Sequence, residues 1–326
     1  MKVIITGGAG FIGSNLTEFL IEKNFEITII DNFSTGKREN ISRYGTHVEL
    51  IKADISKKGK WTTAFKDANF VVHLAAIAEI VPSINNPREY FSTNVSGTLN
   101  VLEAVRKSKI RKLIYAASSS CYGIPSEFPT KEDSPLKPMY PYALTKMMGE
   151  QIVEHWSAVY KIPAISLRLF NVYGPRARTS GTYGAVLGVF LAQKLAGKPL
   201  TIVGDGKQTR DFTYVSDVVN AIYMSLISKF IRFEKYNVGS GTTVSVNTLA
   251  AMIGGDVVAI PKRPGEPGCT FADITKIGKD IGWHPSVSIN VGLSRLLKDL
   301  DHWKTAPVWD PESIEQATQD WFRYLG

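Results

Sequence analysis

A short apolar run at residues 3–5 passes without a spacer into Thr6-Gly7-Gly8-Ala9-Gly10-Phe11-Ile12-Gly13. An amphipathic pattern starts at once behind it, with Phe11, Ile12, Leu16, Phe19 and Leu20 at helical spacing. This junction constrains the chain more than any other feature. Glycines at Gly7, Gly10 and Gly13 allow a tight turn and a close backbone approach, and the helix start behind them presents unpaired N–H groups and the positive end of its dipole. A strand, a glycine turn and a helix in that order form a cradle for phosphate groups.

The rest of the chain repeats the alternation. Residues 26–30, 48–51, 70–73, 113–117 and 164–169 read as further strands, most of them apolar throughout, as strands buried on both faces should be. Helical spacing lies between them, as in Val95, Leu99, Val101, Leu102 and Val105. The expected fold is α/β, a Rossmann-type doubly wound parallel sheet with helices on both faces. After residue 170 the pattern loosens. Helices are expected at 185–195, 215–226 and 314–324, and short strands at 201–203, 236–238 and 257–260. We expect residues 1–170 to form a cofactor domain, to which part of 210–240 returns. Residues 171–326 are expected to form a smaller C-terminal α/β substrate lobe.

Composition narrows the function. The 326 residues are 44% apolar and carry a net charge of +8, from 38 basic and 30 acidic side chains. The basic side chains form no long block, only short groups such as Lys57-Lys58-Gly59-Lys60. That argues for anionic small molecules over nucleic acid. Two cysteines, Cys121 and Cys269, are too few for a disulfide framework, and neither sits in a metal-ligand spacing. No metal is expected. Met1 to Ile5 read as a strand and not as a leader, and no apolar run reaches membrane-spanning length. A cytoplasmic protein with no membrane partner is expected.

The glycine turn, set between strand and helix, fits a dinucleotide fingerprint. Asp31 stands at the end of the second strand, 18 residues beyond Gly13. A carboxylate there accepts from ribose hydroxyls and repels a 2′-phosphate, which favours NAD. Lys37 and Arg38 close by keep NADP as the alternative. Asp54, after the third strand, reads either as an acceptor for the adenine amino group or as a turn residue.

Tyr142 and Lys146 stand four apart on a predicted helix, hence on one face. The lysine ammonium is expected to lower the phenol pKa and to bond the nicotinamide ribose. Such a phenolate can take a proton from a sugar hydroxyl as hydride leaves the same carbon. Ser118-Ser119-Ser120 follows the fifth strand at its C-terminal end, the edge where such sheets bind ligands. Ser118 there can share the substrate proton with Tyr142.

These motifs resemble the extended short-chain dehydrogenase/reductase family, in its nucleotide-sugar epimerase/dehydratase branch. The likeness extends through His73-Leu74-Ala75-Ala76, Asn94-Val95-Ser96-Gly97-Thr98 as a helix start, Arg168-Leu169-Phe170-Asn171-Val172-Tyr173-Gly174-Pro175, Arg210-Asp211-Phe212 and Tyr236-Asn237-Val238-Gly239. It implies a cofactor set of Gly7, Gly10, Phe11, Ile12, Gly13, Asp31, Asn32, Gly36, Asp54 and Ile55. It adds Leu74, Ala75, Ala76, Asn94, Tyr142, Lys146 and Phe170. For the substrate it implies Ser118, Ser119, Tyr142 and Asn171, with Ala185 and Val186 at the uracil. Arg210 and Arg263 would meet the diphosphate, and Glu266 a ribose hydroxyl.

Within the branch, dehydratases carry an Asp-Glu pair where this chain has Ser119 and Ser120, and hydroxyls are not competent acids or bases near neutral pH, so dehydration is not expected. The serine-rich version resembles 4-epimerases, including those acting on N-acetylhexosamines, and that resemblance implies epimerisation at C4 of a UDP-hexose. Thr270, where several glucose/galactose-restricted relatives have a Tyr, hints at room for an N-acetyl group. The alternatives are a nucleotide-sugar oxidoreductase or 4-keto reductase, a UDP-glucuronate-processing enzyme, and a non-catalytic dinucleotide-binding protein. The resemblance also implies a homodimer built on the helices after Asn94 and Tyr142. The tail at 303–326, with Trp309, Ile314, Ala317 and Trp321, reads as a Pro-started docking helix with a packing role.

Overall fold

The computed structural model describes residues 1–179 and 185–326. Seven strands form its main sheet: β1 (Lys2–Thr6), β2 (Glu26–Asp31), β3 (Val48–Lys52), β4 (Phe70–His73), β5 (Lys112–Ser118), β6 (Ala164–Leu169) and the strand Glu234–Val238. Their spatial order is the last strand, then β6, β5, β4, β1, β2 and β3, all neighbours parallel. The order reverses beside β1, which opens a crevice at the C-terminal ends of β1 and β4.

Alternation along each strand explains the two-sided burial. Val3 and Ile5 join the core on one face, with Leu16 and Leu20 of α1 (Phe11–Glu22) and with Val218 and Ile222 of the helix Val215–Ile227. Ile4 points to the other face, among Val101, Leu102, Val105 and Val153. Period-2 strands with both faces apolar demand helices on both sides, and the chain supplies them.

The remaining strands are short. Leu200–Val203 and Val257–Ile260 pair in parallel, apart from the main sheet. They share a third core with Phe190, Leu191, Leu249, Leu293 and Trp303 or lie at its edge. The expected strand at 236–238 is found, and it extends the main sheet beside β6.

One expectation needs correction. The motif at Asn94 is not a helix start. Helix Pro87–Tyr90 runs into a π-helical turn at Phe91–Ser96 and then into Gly97–Arg106. Proline at the first position starts the helix seven residues earlier, about two turns, and Asn94 lies within the wide turn. Among the described residues no helix is long and apolar enough to cross a membrane.

Candidate active site

Gly7 closes the first turn with φ of +74°, and a Cβ there would meet Ala75 N at 2.7 Å. A Cβ on Gly13 would run into the Gly7 carbonyl. The turn is thus closed to side chains on both sides. Gly10 N-caps α1 without any side-chain cap, so the helix's first N–H groups are left for an anion.

Asp31 is buried at the end of β2. It accepts from Ala9 N at 3.0 Å and Phe33 N at 2.8 Å, while burial pushes its pKa up. The carboxylate therefore braces the glycine turn and also lines the cavity beside it. The two cations that kept NADP open are engaged elsewhere. Lys37 Nζ donates to Thr179 Oγ1 at 3.1 Å, and Arg38 lies 4.6 Å from the Phe33 ring centre. These residues fit a dinucleotide without a 2′-phosphate. Asp54 accepts from Ser56 N at 2.9 Å, so the turn role is present, and it lines the cavity as well.

The cavity is continuous, about 680 Å³, and runs from the glycine turn to the C-terminal half. At the cofactor end its wall includes Gly7, Gly10, Phe11, Ile12, Gly13 and Asn32, then Ile55 and Leu74 to Ala76. Three expected cofactor residues stand behind that wall. Gly36 packs on Ala9, and Phe170 is buried near Tyr122. Asn94 is buried too: it accepts from Ile77 N at 2.9 Å and donates to Ile77 O at 3.0 Å and to Thr145 Oγ1 at 3.0 Å. It ties the loop after β4 to the residue next to Lys146.

Ser118 ends β5, and Tyr142 and Lys146 lie on the first turns of helix Pro141–Tyr160; all three line the cavity. The Ser118 side chain hydrogen-bonds the Tyr142 phenol and favours the phenolate. It also pairs with Ser120 Oγ at 2.8 Å. The expected acidification of the phenol by Lys146 is not found in the chain alone. Removal from water dominates, and pushes Tyr142 up to about 12. The same effect pulls Lys146 down to about 8, with its Nζ 4.4 Å from the Tyr115 ring centre. Both shifts disfavour charge, as enclosure does before an opposite charge is brought in.

Toward the other end lie Ser119, Asn171, Ala185, Val186, Arg210, Arg263, Glu266 and Thr270. Arg210 donates to Glu266 Oε1 at 2.7 Å, and Arg263 Nε lies 3.7 Å from Glu266 Oε2. One carboxylate thus sits between two guanidinium groups, which leaves one positive charge in excess on this wall. Thr270 donates to Asn171 Oδ1 at 2.8 Å and accepts from Asp211 N at 3.1 Å.

Residues 3–239 match the model of the NAD dependent epimerase/dehydratase family. The chain belongs to this family. It is 37% identical to a putative UDP-glucose 4-epimerase of Methanocaldococcus jannaschii, over 90% of this chain and 97% of that one. Among solved structures, the UDP-N-acetylglucosamine 4-epimerase of Methanobrevibacter ruminantium superposes with a TM-score of 0.86 at 32% identity, covering 93% of this chain and 97% of that one. A UDP-glucuronic acid 4-epimerase of Bacillus cereus, solved with UDP-glucuronic acid and NAD, gives 0.85 at 33% identity, with 93% and 99% coverage.

Some wall residues carried no signal of function in the sequence. Glu79 and Arg178 form an ion pair on the cavity wall, from two loops a hundred positions apart. Tyr140 hydrogen-bonds Ser120 beside the Ser118–Tyr142 pair. Trp303, Trp309 and Trp321 of the tail also face the cavity. Their density in a short tail was visible, but their direction was not.

Proposed function

We propose that the chain interconverts the C4 epimers of a UDP-hexose, glucose/galactose or the N-acetylhexosamine pair, with NAD held throughout. One observation carries this reading: Ser118, Tyr142 and Lys146 converge on a cavity that also holds a side-chain-free phosphate cradle and a two-arginine patch. NAD, held at the glycine turn, would supply a reversible acceptor for the C4 hydride. Tyr142 removes the O4 proton and later gives it back, with Ser118 sharing the hydrogen bond. Lys146 holds the nicotinamide ribose. Arg210 and Arg263 grip the diphosphate, so the 4-keto sugar can turn about that linkage without leaving.

Asp31 supports NAD as the cofactor, since its carboxylate faces the place where a 2′-phosphate would be repelled. We place the reaction in the cytoplasm. We also propose a homodimer through the helices Gly97–Arg106 and Pro141–Tyr160, where Leu99, Val159 and Tyr160 are exposed. Sedimentation at micromolar protein is expected to give twice the 36.0 kDa chain mass. The reaction is tested by incubating the purified protein with a panel of nucleotide sugars and no added reductant. NMR should show the C4 epimer of at least one UDP-hexose. Stoichiometric consumption of free NAD(H), or release of CO2, would replace epimerisation by the oxidoreductase or decarboxylase reading.

A further inference from the structure

The C-terminal helix Pro311–Leu325 lies outside the part of the chain that matches the family model. Its start is firmly set: Asp310 accepts from Ser313 N at 2.8 Å, the Ser313 hydroxyl answers the Asp310 backbone N–H at 3.0 Å, and Pro311 takes the first position. Ile314 anchors it in a small core with Val189, Val203 and Ile260. A helix with only that role would turn its remaining large side chains to solvent or to the same core.

Trp321 does neither. It is 3% exposed and lines the cavity. Its Nε1–H donates to Pro264 O at 2.7 Å, its ring centre lies 6.0 Å from that of Tyr140, and the Arg263 guanidinium sits 5.6 Å from it. The two neighbours belong to different parts of the site. Tyr140 stands two residues before Tyr142 and hydrogen-bonds Ser120. Arg263 belongs to the patch with Glu266 and Arg210. The helix also packs on Ile80–Asn85, on the rim that carries Glu79. Upstream, Trp303 lies against Gly188 of the helix Val186–Leu195, beside Val186.

We propose that the C-terminal helix is a substrate-binding element of this chain, and that Trp321 positions Arg263 for a nucleotide diphosphate while walling off the sugar next to Tyr140. The physical reason is economy of motion. An arginine on the loop after Ile260 has many rotamers, and fixing it costs side-chain entropy at the moment of binding. An indole face under the guanidinium, itself pinned by Pro264 O, pre-orders the fork. The ring also excludes water from one side of the anion patch, which strengthens its field. This inference rests on the nucleotide-sugar reading above.

The test begins with calorimetric titration of the NAD-loaded protein with UDP-glucose and UDP-N-acetylglucosamine. If neither binds, the nucleotide-sugar reading fails, and this inference with it. If one binds, Trp321→Ala is expected to weaken that binding on the order of tenfold. KM should rise to match, with kcat within about threefold of the parent and NAD content unchanged. Trp321→Phe, which keeps an aromatic face, should restore most of the affinity. Unchanged affinity in Trp321→Ala, or a loss confined to kcat or to NAD content, overturns the proposal. Should the alanine variant fail to fold, amide exchange in the parent protein decides. Exchange in the helix Pro311–Leu325 should slow with the bound UDP-sugar and not with NAD alone, and no slowing with UDP-sugar overturns it.

Discussion

Arg168 on β6 and Glu150 on the helix Pro141–Tyr160 meet inside the core, with side chains 2% and 4% exposed. The guanidinium donates to both carboxylate oxygens, through Nε at 3.1 Å to each and Nη2 at 2.5 Å to Oε1. Ser166 Oγ, Tyr122 OH and the Glu132 carbonyl complete the network. Glu150 lies one turn beyond Lys146, so this pair clamps the helix that carries Tyr142 and Lys146 to the strand next to Ser118. Glu150→Ala would strand a buried cation, and a loss of about 3–5 kcal/mol is expected. Urea unfolding of the variant against the parent measures it, and Glu150→Gln, which keeps one acceptor oxygen near the arginine, should lose less.

The proposed role of Tyr142 as the base gives a second prediction. Tyr142→Phe keeps the ring that meets Tyr90 edge-on at 6.5 Å and removes only the hydroxyl. Epimerisation should fall on the order of 10²–10⁴-fold, while affinity for NAD and for the UDP-sugar stays near the parent's. An intact rate in the NMR assay would remove Tyr142 from the role of base.

His73 predicts an acid limit to stability. It is fully enclosed between Thr6 Oγ1, at 2.7 Å from Nδ1, and Thr98 Oγ1, at 2.9 Å from Nε2. Burial lowers its pKa to about 3, and Lys146 adds to the shift. In the unfolded chain the imidazole takes up a proton near pH 6.5, and in the folded chain it does not until about pH 3. The unfolded state therefore binds more protons between those values, and stability falls as pH drops through that window. From pH 6.5 to 5 the His73 share is about 2 kcal/mol. Urea titrations at both pH values should show a shallower decline in His73→Asn than in the parent.

Thr270 and Asn171 predict sugar choice. Their side chains are joined at 2.8 Å on the cavity wall. Thr270→Tyr breaks that bond and fills the space with a ring. If the space takes an acetamido group, kcat/KM for UDP-N-acetylglucosamine should fall about 10- to 100-fold more than for UDP-glucose. Parallel assays with the two sugars read the ratio, and equal losses would dissociate Thr270 from N-acetyl recognition.

Local pattern was enough for much of this protein. Apolar strands alternating with 3.6-period helices dictate a two-faced parallel sheet, because neither element can bury its apolar side alone. The glycine turn and Asp31 were legible for the same reason: their roles depend on backbone conformation and on a position at a strand end, both short-range properties. The placement of Ser118, Tyr142 and Lys146 at one cavity was readable because a helix turn and a strand terminus set it.

Only the tertiary structure decided what depends on distant segments meeting. Asn94 lies behind the wall, in a wide helical turn, with its amide bonded to Ile77 seventeen positions away. Trp321 comes to Tyr140 and Arg263 from 181 and 58 positions away, and no periodicity encodes such a meeting. The tail's helix was evident, but which of its faces met a cavity depended on the surface it landed on. Charge states followed the same division: spacing put Lys146 beside Tyr142, yet the loss of water around both, a property of the whole enclosure, pushed the phenol up and the amine down.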